Sequence, residues 1–445
     1  MNQFTEPSVS KADFGDKFVW GVATAAFQIE GAAKTDGRAP SIWDTFCQKE
    51  GAIADRSDGL IACDHYNRLE EDLDHIASLG VNAYRFSVSW SRVQPLGDGA
   101  WNESGFAFYD RLISGLERRG IQAHLTLFHW DLPQALDDRG GWINEEVLAC
   151  FEAYAREICL RFGDRLASIC TLNEPWVISI LGYEQGVFAP GVQDRSVAMQ
   201  VAHNILVAHG RAMKAIREIN PDLSAGIVLN MSPIYPATDD PADIQKATID
   251  DGLIVRWYMD AIYHGRYPED VMSFLGEHRP TISDTDVSDI SQPVDFIGVN
   301  YYTRNFSSTG NPWDVSSTGN QVTDMGWEVY PQGLCELLVR LHRDYNPKKL
   351  MVTENGAAFK DVLRDGRVED RDRQSYIERH IAATLEARRM GAPVDGYFVW
   401  SLLDNFEWAS GYEKRFGIIH VDYETLERTP KQSFLWLTNF FKNKG

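Results

Sequence analysis

Short apolar runs alternate along this chain with stretches whose apolar residues recur every three to four positions. Such alternation reads as strand followed by helix. The runs at 18–28, 81–90, 121–130, 168–174, 225–230, 295–302, 349–354 and 394–402 are the expected strands. Between them, Leu69, Leu73, Ile76 and Leu79 mark one helical face, with Asp64 as its expected cap and Gly80 as its stop. Phe106, Tyr109, Leu112, Ile113 and Leu116 mark a second, ending at Gly120. A third carries Val147, Phe151, Tyr154, Ile158 and Phe162. Further helices are expected near 195–219, 241–264 and 429–442. Eight apolar strands covered by helices imply a parallel sheet buried on both faces. Closed on itself, this is an α/β single-domain (β/α)8 TIM barrel with extended βα loops. That fold normally takes ~250 residues and stretches past 400 with insertions. The extra length lies in the Ser/Thr/Gly-rich stretch 303–331 and after strands one, four and five. No linker or low-complexity tract divides the chain, so residues 1–445 are expected to form one catalytic domain.

Composition narrows the function. A formal net charge of -21 repels nucleic acid and anionic membranes. No apolar run reaches the roughly 18 residues of a membrane span. Residues 1–8 lack the basic start and apolar core of a signal peptide, so a cytoplasmic location is expected. Cysteines 47, 63, 150, 159, 170 and 335 show no ligand spacing, so they are expected to be reduced and to bind no metal.

In a barrel of this kind, chemistry sits where strands end. Those ends supply Gln28, Arg85, His129 with Trp130, Asn173 with Glu174, Asn300 with Tyr302, Glu354, and Trp400; only the fifth strand supplies nothing. Glu174 precedes Pro175, which bars right-handed helical geometry and so should hold the glutamate extended, with no helix behind it. Glu354 stands at the end of another apolar strand, with Asn355-Gly356 behind it as an expected turn. The rim holds two carboxylates, amides, an imidazole and indoles, with no lysine and no phosphate-cradling loop. Paired carboxylates beside aromatic platforms suit glycoside hydrolysis, in which one acid protonates the leaving oxygen and the other attacks the sugar carbon. A barrel lyase would need a rim lysine, metal ligands or a phosphate site, and a non-catalytic sugar binder would be expected to lack one glutamate.

The motifs then resemble a known family. Phe18-Val-Trp-Gly-Val-Ala-Thr-Ala, Tyr84-Arg-Phe-Ser-Val-Ser-Trp-Ser-Arg92, Phe128-His-Trp-Asp-Leu-Pro133, Thr171-Leu-Asn-Glu-Pro175, Asn300-Tyr-Tyr302, Val352-Thr-Glu-Asn-Gly356, Trp400-Ser-Leu-Leu-Asp-Asn-Phe-Glu-Trp408 and Lys414-Arg-Phe-Gly417 follow in order. Together they resemble family 1 glycoside hydrolases, the β-glucosidase family. The resemblance implies a retaining exo-β-glycosidase without a cofactor, acting on small β-glycosides such as cello-oligosaccharides and aryl glucosides. Galactoside or fucoside cleavage, or transglycosylation at the same site, are the alternatives. It implies Glu174 as acid/base and Glu354 as nucleophile, with Arg85 and Tyr302 as the nucleophile's partners and only Asn173 and aromatics around Glu174. The sugar would be held by Gln28, His129, Asn173, Tyr302, Glu407 and Trp408, above Trp400. Asn300 and Trp130 would support the site, and Trp176 and Trp327 would flank the leaving group. Relatives that cleave 6-phosphorylated sugars carry a serine where Glu407 stands, so its carboxylate is expected to repel phosphate. The family also implies a cis peptide between Trp400 and Ser401. Oligomeric state is not set by any of these features.

Overall fold

The computed structural model describes residues 9–310 and 313–442. Residues 1–8, on which the signal-peptide expectation falls, lie outside the described residues. Eight parallel strands close into a barrel: β1 (Val19–Ala23), β2 (Ala83–Ser87), β3 (Gln122–Phe128), β4 (Ser168–Asn173), β5 (Ala225–Asn230), β6 (Phe296–Asn300), β7 (Leu350–Asn355) and β8 (Val394–Trp400). Each strand pairs with its sequence neighbours, and β1 pairs with β8 from Val19 against Gly396 to Ala23 against Trp400. The expected barrel is present, with strands shorter than their apolar runs. The polar tails of runs one and two have become short helices, Ala26–Ile29 and Trp90–Val93, so Gln28 sits on a helix.

Most of the core lies between strands and helices. The barrel lumen is filled by a smaller cluster that includes Ala83, Cys170, Val228, Phe296, Met351 and Phe398. Large and small residues interlock there. A Cβ at Gly21 would fall 2.3 Å from the Phe398 ring, so β1 needs a bare backbone where that ring fills the lumen. Burying such a ring is worth about 1.5–3 kcal/mol.

The helix expected from Asp64 begins only at Leu69. Asp64 takes φ +53 and accepts from Asn67 instead of capping. Gly80 does end that helix, at φ +89. The helix near 195–219 runs Arg195–Ile219, capped by Asp194. Helices Pro331–Tyr345 and Arg371–Arg389 complete the sheath, although the pattern above does not single them out.

The loops after β7 and β8 are joined from behind by a buried ionic cluster. Arg373 grips Asp361 through both terminal nitrogens (3.0 and 2.9 Å) and Asp370 at 2.6 Å. Lys431 bonds Asp361 and Asp404, Arg415 bonds Asp404 at 2.7 Å, and Ser433 bonds Asp370. Among the described residues all six cysteines are free, and no helix is long and apolar enough to cross a membrane.

Candidate active site

At the C-terminal ends of the strands lies a cavity of about 280 Å³. Glu174, Glu354, His129, Trp130, Asn300, Tyr302, Trp400, Glu407, Trp408, Trp176 and Trp327 all line it, together with residues of the 303–331 stretch and Phe416. The two glutamates, far apart in sequence, thus face one chamber. Gln28, Arg85 and Asn173 stand behind the wall rather than in it.

Glu174 follows β4, but its backbone is not extended. Its φ is +55, and a helix starts at Pro175 and runs as a π-helix over Val177–Glu184. The proline does bar right-handed geometry at Glu174, and the chain meets that bar by turning left-handed. Pro175 then occupies the first helical position, where a missing N–H costs nothing. The Glu174 carbonyl accepts from Ile178 N at 3.2 Å. Trp130 (φ +80) and Trp408 (φ +51) share this rare geometry at the cavity wall. Such residues cost of order 1–3 kcal/mol each and persist where surrounding contacts over-determine them. Trp130 Nε1 donates to Asn173 O at 2.8 Å, and its ring packs 4.5 Å from that of Trp408.

The two carboxyls meet different partners. Glu354 accepts from Arg85 Nη1 at 2.7 Å and from the Tyr302 hydroxyl at 2.6 Å. Both expected partners are therefore in place. Arg85 also donates through Nη2 to Asn173 Oδ1 at 2.6 Å. Glu174 has a partner the resemblance did not supply: Asn300 Nδ2 donates to its Oε1 at 2.6 Å and to Asn173 Oδ1 at 3.1 Å. Thr353 Oγ1 donates to Asn300 Oδ1 at 2.7 Å, which orients that amide. Burial first, then the Glu354 charge, raises the Glu174 carboxyl to about 8, against the opposing pull of Asn300 and Arg85. Burial and Glu354 likewise push Glu407 up to about 8, and its Oε2 has no protein partner among the described residues. Glu407 keeps some exposure because it faces the cavity, so solvent there relieves part of that rise.

His129 is neutral, lowered well below its usual value by burial and by Arg85. Its Nε2 faces Asn173 Nδ2 at 3.3 Å, and its ring lies parallel to those of Trp400 and Trp408. Gln28 Nε2 donates to Asn405 Oδ1 (3.0 Å) and Phe406 O (2.8 Å), binding the loop that carries Glu407, while its Oε1 is left unpaired. The Trp400–Ser401 peptide is cis, as expected. Among the described residues, no group of three or more His, Cys, Asp or Glu is arranged to hold a metal ion.

Two further expectations need correction. Strand five does contribute, because Asn230 at its end lines the cavity. It closes an apolar run just as Asn300 does, so the same rule would have found it. Gly356 makes no left-handed turn; a Cβ there would fall 1.6 Å from Trp400 O, so glycine is required by close approach. Met325 and Phe416 reach the wall from loops, where no periodicity announces them.

Residues 10–445 match the model of glycosyl hydrolase family 1. The chain is 44% identical to "Beta-glucosidase A" of Acetivibrio thermocellus, over 98% of this chain and 100% of that protein. It is 45% identical to "Beta-glucosidase A" of Thermotoga maritima, over 97% and 98% respectively. A solved family 1 β-glucosidase from Thermotoga maritima, in complex with isofagomine lactam, superposes with a TM-score of 0.94 at 44% identity, covering 97% of this chain and 99% of that one.

Proposed function

The chain belongs to glycosyl hydrolase family 1, and from that premise we propose that Glu354 is the nucleophile and Glu174 the acid/base. The enzyme is a retaining β-glycosidase of the β-glucosidase type, removing terminal β-D-glucosyl residues from oligosaccharides and aryl glucosides. The carrying observation is the asymmetry of the pair. Glu354 accepts hydrogen bonds from a guanidinium and a phenol, whereas Glu174 has no cation bonded to it, is raised to about 8 and carries a proton at neutral pH. Glu354 attacks the anomeric carbon as Glu174 protonates the leaving oxygen. Glu174, now ionised, then takes a proton from the water that releases the sugar.

His129, Glu407, Trp408 and Trp400 form the sugar pocket, with Gln28 and Asn173 fixing its back. Trp176 and Trp327 flank the leaving group. The cavity wall carries no lysine or arginine among its lining residues, and burial with the Glu354 charge raises the Glu407 carboxyl, which weakens its negative charge. A phosphorylated sugar would therefore find no cation here, which discriminates against it more than charge repulsion does. We place the enzyme in the cytoplasm, in glucan degradation, and read residues 1–445 as one catalytic domain.

Glu354→Ala tests the assignment. Turnover of an aryl β-glucoside should fall roughly 10⁴- to 10⁶-fold, and azide should restore it with inverted product. Retained turnover would refute the nucleophile. A panel of nitrophenyl β-glucoside, galactoside and fucoside then ranks the glycones, with glucoside expected first.

A further inference from the structure

Beneath the catalytic chamber, inside the barrel, three buried polar atoms lack a protein partner: Arg85 Nε, His124 Nε2 and Thr126 Oγ1. Arg85 is 3% exposed, His124 5% and Thr126 1%. The Thr126 hydroxyl lies beside the Cys170 sulfur, a weak partner. All three residues line one small cavity of about 10 Å³, separate from the catalytic chamber. That is the space one water needs, and a buried water is held when two to four polar groups converge on it. Leaving a buried donor such as Arg85 Nε–H unpaired would instead cost about 1–3 kcal/mol.

We propose that this cavity binds a single ordered water, and that His124 and Thr126 are positioning residues acting through it on Arg85 and hence on Glu354. The inference rests on the role given to Glu354 above. The water accepts from Arg85 Nε–H and donates to His124 Nε2 and Thr126 Oγ1. His124 then carries its proton on Nδ1 and donates it to Ser168 Oγ, 2.7 Å away. The ring is neutral, lowered to about 3 by burial and then by Arg85, so its Nε2 lone pair is free to accept. With this bond made, each edge of the guanidinium is committed: Nη1 to Glu354 and Thr353 O, Nη2 to Asn173, and Nε to the water. The plane of Arg85, and with it the attacking oxygen of Glu354, is fixed from below.

Three measurements decide the matter. A high-resolution crystal structure of the unliganded protein should show one water within hydrogen-bond distance of all three atoms; an empty cavity overturns the inference whatever the kinetics. ¹⁵N shifts should report the Nδ1–H tautomer at His124, and the Nε2–H tautomer would overturn the bonding scheme. Thr126→Val, nearly isosteric, and His124→Leu should each lower kcat on an aryl β-glucoside about tenfold, as loss of an outer hydrogen-bond partner does. KM and the unfolding midpoint should stay put in Thr126→Val, and His124→Gln should restore most of the rate. Unchanged kcat in Thr126→Val overturns the positioning role even if His124→Leu fails to fold. Wild-type turnover in Glu354→Ala would instead sink the catalytic assignment and leave the water standing.

Discussion

Two clusters of buried charge sit at the C-terminal end of this barrel, and the chain just after β7 and β8 contributes to both. Behind the loops, Arg373, Arg415 and Lys431 face Asp361, Asp370 and Asp404, and every acid has at least one cation. In the chamber, Glu174, Glu354 and Glu407 have Arg85 as their one cation among the described residues, and of the three acids it bonds only Glu354. The consequences are opposite. Burial by itself would raise the Asp404 carboxyl, but Lys431, Arg415 and Arg373 outweigh it and hold the group below its usual value. Burial and the Arg373 charge lower the Lys431 ammonium, with the two aspartates opposing them. For Glu174 the pull of Asn300 and Arg85 is too weak to offset burial, for Glu407 no cation opposes it, and both rise. Matched charge makes a clamp, whereas a shortage of cations stores protons where chemistry needs them.

Turning one carboxylate into an amide in each cluster breaks this contrast most sharply. Asp404→Asn should cost about 3–5 kcal/mol in urea unfolding, because Arg415 loses its carboxylate partner and buried Lys431 keeps only Asp361, itself shared with Arg373. A loss below 1 kcal/mol would mean the clamp carries little. Glu174→Gln should do the reverse, with a pH signature. A carboxyl at about 8 in the folded state and near 4.5 in the unfolded chain makes folding take up a proton. Its burden on stability is therefore absent below pH 4.5 and complete above about 8. Relative to wild type, Glu174→Gln should gain on the order of 2–4 kcal/mol between pH 4.5 and 8. The clamp runs the other way: Asp404, held low, contributes above its unfolded value and loses that contribution as pH falls.

Kinetics sharpens the same point. Wild-type kcat/KM should decline as pH rises through about 8, where Glu174 loses its proton. In Glu354→Gln, ¹³C titration should find the Glu174 value lowered, since the Glu354 charge is the second cause of its rise. An unmoved value would show that burial acts alone. The smallest effect is expected for Glu407→Gln. The linkage has the same sign there, but solvent in the cavity relieves part of the Glu407 rise, so Glu407→Gln should gain less stability than Glu174→Gln between pH 4.5 and 8, while weakening the sugar's hold and raising KM.

Much of this was legible from residues alone, for reasons that also explain the failures. Strands buried on both faces must be apolar throughout, so Ala225–Asn230 could be bounded to the residue. Rim groups were visible because a polar residue ending an apolar run has one place to go, and Asn230 escaped only because the rule was not pressed that far. Backbone turns were harder. Nothing local distinguishes an extended Glu174 from a left-handed one, since Pro175 excludes only the right-handed region. Asp64 looked like a cap because its spacing fits, yet its turn precedes the helix. The bond from Asn300 to Glu174 and the water cavity under Arg85 depend on which strands become neighbours across the lumen, a property no short window of sequence holds.

The clamp draws one of its cations from Lys431 and a further hydrogen-bond donor from Ser433, both beyond the last barrel strand. On a ribosome, the loops that follow Glu354 and carry Glu407 are therefore complete in sequence before the last of these bonds can form. A nascent chain halted near residue 425 would hold every proposed catalytic group and still lack the Lys431 and Ser433 bonds that complete the clamp behind two of them. Translation itself thus imposes a delay: competence arrives with the final stretch to emerge, all at once.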